Sequence, residues 1–233
     1  MKNALHHAIL VTILLFATTL ACAVPGLNDS PSVPPSPTPE GDTIHFSAPF
    51  STELAPGKTI PGTRIVYVQA AGSVHEFSID GLRAYRQVGD SLTWRGIMAP
   101  GIFGDYRLRL TSDFLGRLQA EGQVQLAVLN PAPVEIPPTQ TPDASIHLGG
   151  IPVDYFTPEG RRIPGTTLIY VGTQNGLAEV SGTAAYPFFA RDDSLLWQGQ
   201  LRDNVFIRYD LQVTALDENG LGLSGAAELW AAQ

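Results

Sequence analysis

Few side chains in this sequence are suited to chemistry, and their spacing is poor for catalysis. Two histidines stand in like settings, Ile44-His45 and Ile146-His147. Imidazole is a common zinc ligand, yet the sequence has no His-x-x-x-His or Cys-x-x-Cys to complete a site. Both histidines are expected on first strands, facing solvent. His75-Glu76 lacks the second histidine of a zinc-protease helix. Asp192-Asp193 and Asp217-Glu218-Asn219-Gly220 offer the oxygens that calcium takes. Neither fits the calcium-binding loop of about twelve residues, and turn formation accounts for both, because Asp and Asn side chains bond their own backbone. No Gly-x-Ser-x-Gly elbow, phosphate loop or dinucleotide fingerprint occurs. The reading is a protein without catalytic residues, cofactor or metal. One segment suits ligand contact, Tyr186-Pro187-Phe188-Phe189, where exposed rings would form a platform for the apolar face of a sugar. The competing reading packs Phe188 and Phe189 beneath a loop.

The elements that would position these residues begin with an export signal. Lys2 precedes the apolar run Ala8-Ile9-Leu10-Val11-Thr12-Ile13-Leu14-Leu15-Phe16-Ala17. That run is shorter than the roughly 20 residues of a membrane span and ends in small residues, so 1–21 is assigned as a signal peptide. Cys22 is the sole cysteine, which excludes an intramolecular disulfide and a cysteine metal site. Thr19-Leu20-Ala21-Cys22 resembles a bacterial lipobox, and the resemblance implies that Cys22 is lipidated and holds the mature protein to a membrane. Ala21-Cys22-Ala23 also reads as a small-x-small site for ordinary signal peptidase, which would release a secreted protein. The chain is expected to be exported in either case.

Two stretches then divide it. Residues 22–42 form a tether dense in proline and serine, and Asn130-Pro-Ala-Pro-Val-Glu-Ile-Pro-Pro-Thr-Gln-Thr-Pro-Asp143 forms a second such linker. Proline fixes φ and lacks an amide hydrogen, so neither stretch suits an interior strand. Both have little to bury and are expected to be extended and solvated.

The segments 43–129 and 144–233 are copies. Ile60-Pro61-Gly62-Thr63 recurs as Ile163-Pro164-Gly165-Thr166, an offset of 103 (163 − 60). At the same offset Tyr67 matches Tyr170, Trp94-Arg95-Gly96 matches Trp197-Gln198-Gly199, and Tyr106-x-Leu108 matches Tyr209-x-Leu211. A shared register across separate motifs marks a duplication. The opposite number of Lys58 is Arg161, so a lysine-to-asparagine cross-link is not expected in both halves.

Each copy reads as β-structure. Tyr106-Arg107-Leu108-Arg109-Leu110 and Tyr209-Asp210-Leu211-Gln212-Val213 alternate apolar and polar residues. Ile65-Val66-Tyr67-Val68 and Leu168-Ile169-Tyr170-Val171 are unbroken β-formers, which predicts central strands. Asn219-Gly220 predicts a hairpin. With 23 glycines and 19 prolines to make turns, short strands are favoured over long helices. Trp94, Trp197, Tyr67, Tyr170, Tyr106 and Tyr209 are assigned to the core. The expected fold is all-β: two tandem immunoglobulin-like β-sandwiches after a signal peptide and a Pro-rich tether. The formal net charge of −8, with no basic patch larger than Arg107 and Arg109, argues against nucleic acid as a partner.

The run Pro-Gly-Thr-x-x-x-Tyr, x-Leu-x-Trp-x-Gly, Ala99-Pro100-Gly101 and Tyr-x-Leu-x-Leu resembles the conserved-repeat modules of bacterial surface proteins, of the domain-of-unknown-function-eleven type. The resemblance covers both copies and not the tethers. It implies an immunoglobulin-like sandwich and a role in surface display, spacing or adhesion, with an extracellular protein or a glycan as partner.

Overall fold

The computed structural model describes residues 42–137, 144–183 and 186–232. The signal segment, Cys22 and residues 22–41 of the tether lie outside the described residues. All regular structure among those described is strand, and every pairing is antiparallel.

The first copy contains β1 (Thr43–Leu54), β2 (Ile65–Ala71), β3 (Val74–Ile79), β4 (Leu82–Arg86), β5 (Ser91–Ala99), β6 (Ile102–Phe114) and β7 (Arg117–Leu129). They form a sheet in the order β1-β7-β6-β5 and a smaller one in the order β2-β3-β4. After β8 (Val134–Glu135), the second copy repeats the plan with β9 (Ile146–Thr157), β10 (Ile169–Gln174), β11 (Leu177–Ser181), β12 (Phe188–Phe189), β13 (Ser194–Arg202), β14 (Val205–Asp217) and β15 (Gly220–Ala231). Its sheets run β8-β13-β14-β15-β9 and β10-β11-β12.

Side-chain alternation decides which face of each sheet is buried. In β6 Ile102, Tyr106, Leu108 and Leu110 are buried while Arg107 and Arg109 are exposed. In β14 Val205, Ile207, Tyr209, Leu211 and Val213 are buried and Arg208, Asp210 and Gln212 face out. Tyr67, Tyr170, Trp94 and Trp197 are buried as well, and the inner faces of the sheets join in one hydrophobic cluster.

The shared motifs act as turn and packing devices. Thr63 Oγ1 donates to the Ile60 carbonyl (2.9 Å) and accepts from the Ile65 amide (3.0 Å); Thr166 makes the same pair of bonds at the same lengths with Ile163 and Leu168. The preceding glycines take positive φ, +77° at Gly62 and +73° at Gly165, where a side chain would be strained. Tyr106 lies over the first of these turns and donates to the Pro61 carbonyl at 2.8 Å.

Two expectations need correction and a third is met. The β-former runs are not central: β2 and β10 lie at the ends of their three-stranded sheets. Their outer flank is covered by an irregular segment instead, with Tyr67 donating its amide to Lys58 and Tyr170 to Arg161, so a buried apolar run arises without a strand on each side. The expected hairpin between β14 and β15 forms, with Glu218-Asn219 as its loop, since Asp217 pairs with Gly220. Asp217 Oδ1 accepts from the amides of Asn219 and Gly220, so the carboxylate closes the loop on its own backbone. The linker, expected to be solvated, instead lies along β13 over its first part. Ala132 donates to the Leu201 carbonyl (2.8 Å), Ile136 donates to the Gln198 carbonyl (3.1 Å), and Val134 and Glu135 pair with Gln200 and Gly199. Proline is compatible with this because an edge strand needs inward amides only at alternate residues.

The two copies touch through their first strands, β1 and β9. A methyl group built on Gly62 would stand 3.2 Å from Ile146 Cδ1, and one on Gly165 would stand 3.2 Å from Ile44 Cδ1. Corresponding glycines thus receive corresponding isoleucines, the reciprocal pattern of a two-fold interface. Arg202 adds a hydrogen bond from its guanidinium to the Leu129 carbonyl.

Candidate functional site: an aromatic cleft in the second copy

Between β11 and β13 the chain must pass Tyr186 and Phe188 and then turn back. Val180 donates its amide to the Pro187 carbonyl (2.8 Å), and Ala178 and Glu179 pair with Phe189 and Phe188, which pins the aromatic segment to β11. The turn that follows is closed by Asp193, whose Oδ2 accepts the Ala190 amide at 2.7 Å. Asp90 performs the same service for Gln87 at 2.8 Å in the first copy. The turn is common to both copies, but only the second carries the two phenylalanines.

These constraints shape a cleft of about 500 Å³. Tyr186, Phe188 and Phe189 line it with Leu196 and Trp197, and Glu135 and Asp193 bring carboxylates to it. Tyr186 and Phe188 sit 5.5 Å apart between ring centroids, tilted by 57°. Tyr186 is 69% exposed, while Phe188 and Phe189 are half-buried. Trp197 is buried and its indole N–H donates to Thr167 Oγ1 at 3.1 Å, so it supplies apolar wall. An apolar lining with a few polar groups at its margin is the usual make-up of a small-molecule site, and the volume is in the usual range of about 300–1,000 Å³. Aligned by sequence alone, the segment matches Tyr85-Arg86-Gln87-Val88, but the strand register corrects this: Tyr85 pairs with Glu76 as Phe188 pairs with Glu179, and Arg86 with His75 as Phe189 with Ala178, so in the first copy an exposed tyrosine and an arginine stand where the second has its two phenylalanines.

The other chemistry-bearing residues are occupied elsewhere. His45 and His147 are exposed on first strands. His147 stacks on Trp230 with centroids 5.0 Å apart, and Arg208 lies over the same indole at 5.7 Å while pairing with Glu228 at 2.8 Å. Spacing gave no sign of this cluster, because β9, β15 and β14 meet only through sheet pairing. The first copy has Ala127 and Asp105 in place of Trp230 and Arg208. His75 is 1% exposed, with Nδ1 3.1 Å from the Tyr67 hydroxyl and Nε2 3.7 Å from Asp113. Burial, and secondarily the charge of Asp113, raises the Tyr67 pKa. Glu76 accepts from Gln69 (2.9 Å) and pairs with Arg83 (2.7 Å). Among the described residues no group of three or more His, Cys, Asp or Glu side chains is placed to hold a metal ion.

Comparison of the chain with protein-family models, curated proteins and solved structures gives no match.

Proposed function

We propose that this is a non-catalytic, exported interaction protein in which 43–129 and 144–233 act as tandem immunoglobulin-like sandwiches, displayed beyond a Pro-rich tether. Its contact site is the cleft at Tyr186, Phe188 and Phe189, and its ligand is an extracellular or cell-wall glycan. The observation that carries this reading is the pairing of a half-exposed aromatic wall with carboxylates at its margin. A pyranose ring has one face of C–H groups and an edge of hydroxyls. The first packs on aromatic carbon and the second is met by charge-assisted acceptors such as Glu135 and Asp193. The motif resemblance to surface modules and the signal-like N-terminus support an extracellular setting.

The test is a titration of purified protein with cell-wall and extracellular oligosaccharides, read by intrinsic fluorescence and calorimetry. Tyr186→Ala and Phe188→Ala are expected to weaken binding at least about tenfold each, the loss of one stacking contact of ~1.4 kcal/mol. Absence of binding, or binding indifferent to both changes, refutes the glycan reading. The membrane anchor is tested separately: radioactive palmitate should label the chain and should fail to label Cys22→Ala.

A further inference from the structure

The cleft at Tyr186, Phe188 and Phe189 carries negative charge without compensation. Among the described residues Glu135 and Asp193 are the charged side chains that line it, and no Lys, Arg or His does. Asp193 is partly engaged, because its Oδ2 accepts the Ala190 amide. The Glu135 carboxylate has no hydrogen-bond or ion-pair partner among the described residues. The residue is still held in place, since its backbone pairs with Gly199 on β13. Acids on the sheet faces are treated differently: Asp105 pairs with Arg95 at 2.6 Å and Glu228 with Arg208 at 2.8 Å.

The aromatic wall favours the same sign of ligand charge. Ring faces carry the negative part of the aromatic quadrupole and attract cations. A uronate, sulfate or phosphate group would meet two like charges here, on a chain whose formal net charge is −8.

The first copy lacks this combination. Asp90 closes the same turn as Asp193. Arg86, however, takes the register position of Phe189, and a guanidinium there disfavours a cation. No strand lies on the edge of β5 among the described residues, so that edge has no counterpart of Glu135. The uncompensated charge belongs to the cleft and not to the plan shared by the two copies.

We propose that the cleft selects glycans carrying a free, protonated amine, with Glu135 as the residue that sets the preference. This inference rests on the glycan reading above and narrows its ligand class. The sugar ring packs on the aromatic wall, and its ammonium group lies against the Glu135 carboxylate and a ring face. N-acetylation removes that charge.

The test titrates the full chain with two oligosaccharides of equal length, an oligomer of glucosamine and its N-acetylated form, at mildly acidic pH. The free-amine oligomer is expected to bind about tenfold tighter, from one exposed ion pair and one cation–π contact. Glu135→Gln keeps the size of the side chain and the backbone pairing of β8, and should cut the preference to about threefold. The preference is a ratio within one variant, so loss of folded protein does not alter it. Added salt should shrink it in the unaltered protein by screening the ion pair. Equal or weaker binding of the free-amine oligomer overturns this proposal and leaves the glycan reading standing. A tenfold preference that survives Glu135→Gln overturns it as well. Binding of oligolysine with neither oligosaccharide bound overturns both readings.

Discussion

At Gly96 and Gly199 a single added methyl group would strike the indole two residues back in the same strand. The tryptophan lies flat across the glycine, and this explains the Trp-x-Gly spacing in both copies. Gly96→Ala is expected to cost about 1–3 kcal/mol by overpacking, read from urea denaturation. Gly199→Ala should cost more, because the Val134 carbonyl is backbone and cannot swing aside as a side chain can. Equal losses would show that β8 exerts no pressure there. The tyrosines set an alkaline limit. Burial pushes the Tyr106 phenol well above its usual range, and burial, with a smaller contribution from Tyr155, does the same to Tyr209. Above the unfolded-chain pKa of about 10 the unfolded state gives up these protons and the folded state retains them. Their contribution is complete below that pH and is lost as pH rises toward the folded values. Stability measured against pH should fall above pH 10, and Tyr106→Phe with Tyr209→Phe should flatten the fall. A curve that falls as steeply in the double variant would assign the alkaline limit to other groups.

Among the elements, β8 shows how little sequence is needed to make a strand when an edge is waiting. It has two paired residues and proline on both sides, yet its neighbours Ala132 and Ile136 extend the ladder. Ile136→Pro deletes one of these amides and should cost about 1 kcal/mol. Hydrogen exchange at Val134 and Glu135 should quicken at the same time; unchanged protection would mean that this bond does not hold the strand. The alternating strands were legible in the sequence, since Tyr106 to Leu110 and Tyr209 to Val213 place their apolar residues inward. The peripheral places of β2 and β10 were not, because an apolar run looks the same whether a strand or an irregular segment covers its flank. The cleft was legible in part. Tyr186, Phe188 and Phe189 stood out as a run of rings, but Glu135, Leu196 and Trp197 join them only through pairing of β8 with β13 and packing of the sheets.

At the level of the whole described region, the reciprocal contacts of Ile44 with the Gly165 turn and Ile146 with the Gly62 turn link the two copies. Ile146 is buried at this junction. Cutting it to Ala should cost about 2–5 kcal/mol, as for other large-to-small core changes. If the junction couples the copies, heating should give one transition by calorimetry, shifted as a whole in Ile146→Ala. Two resolved transitions in the unaltered protein, with only one moved by the substitution, would show the copies to unfold independently.

Duplication, strand-forming pattern and turn chemistry were present in the order of residues alone, because each depends on near neighbours: alternation every second residue, a glycine where φ is positive, a threonine hydroxyl bonding three residues back. Tertiary structure decided which strands lie at an edge, what covers them, and which distant side chains share a cavity. Those outcomes depend on pairing between segments far apart in the chain. Trp230 meets His147 across a strand pair, and no local spacing encodes that encounter.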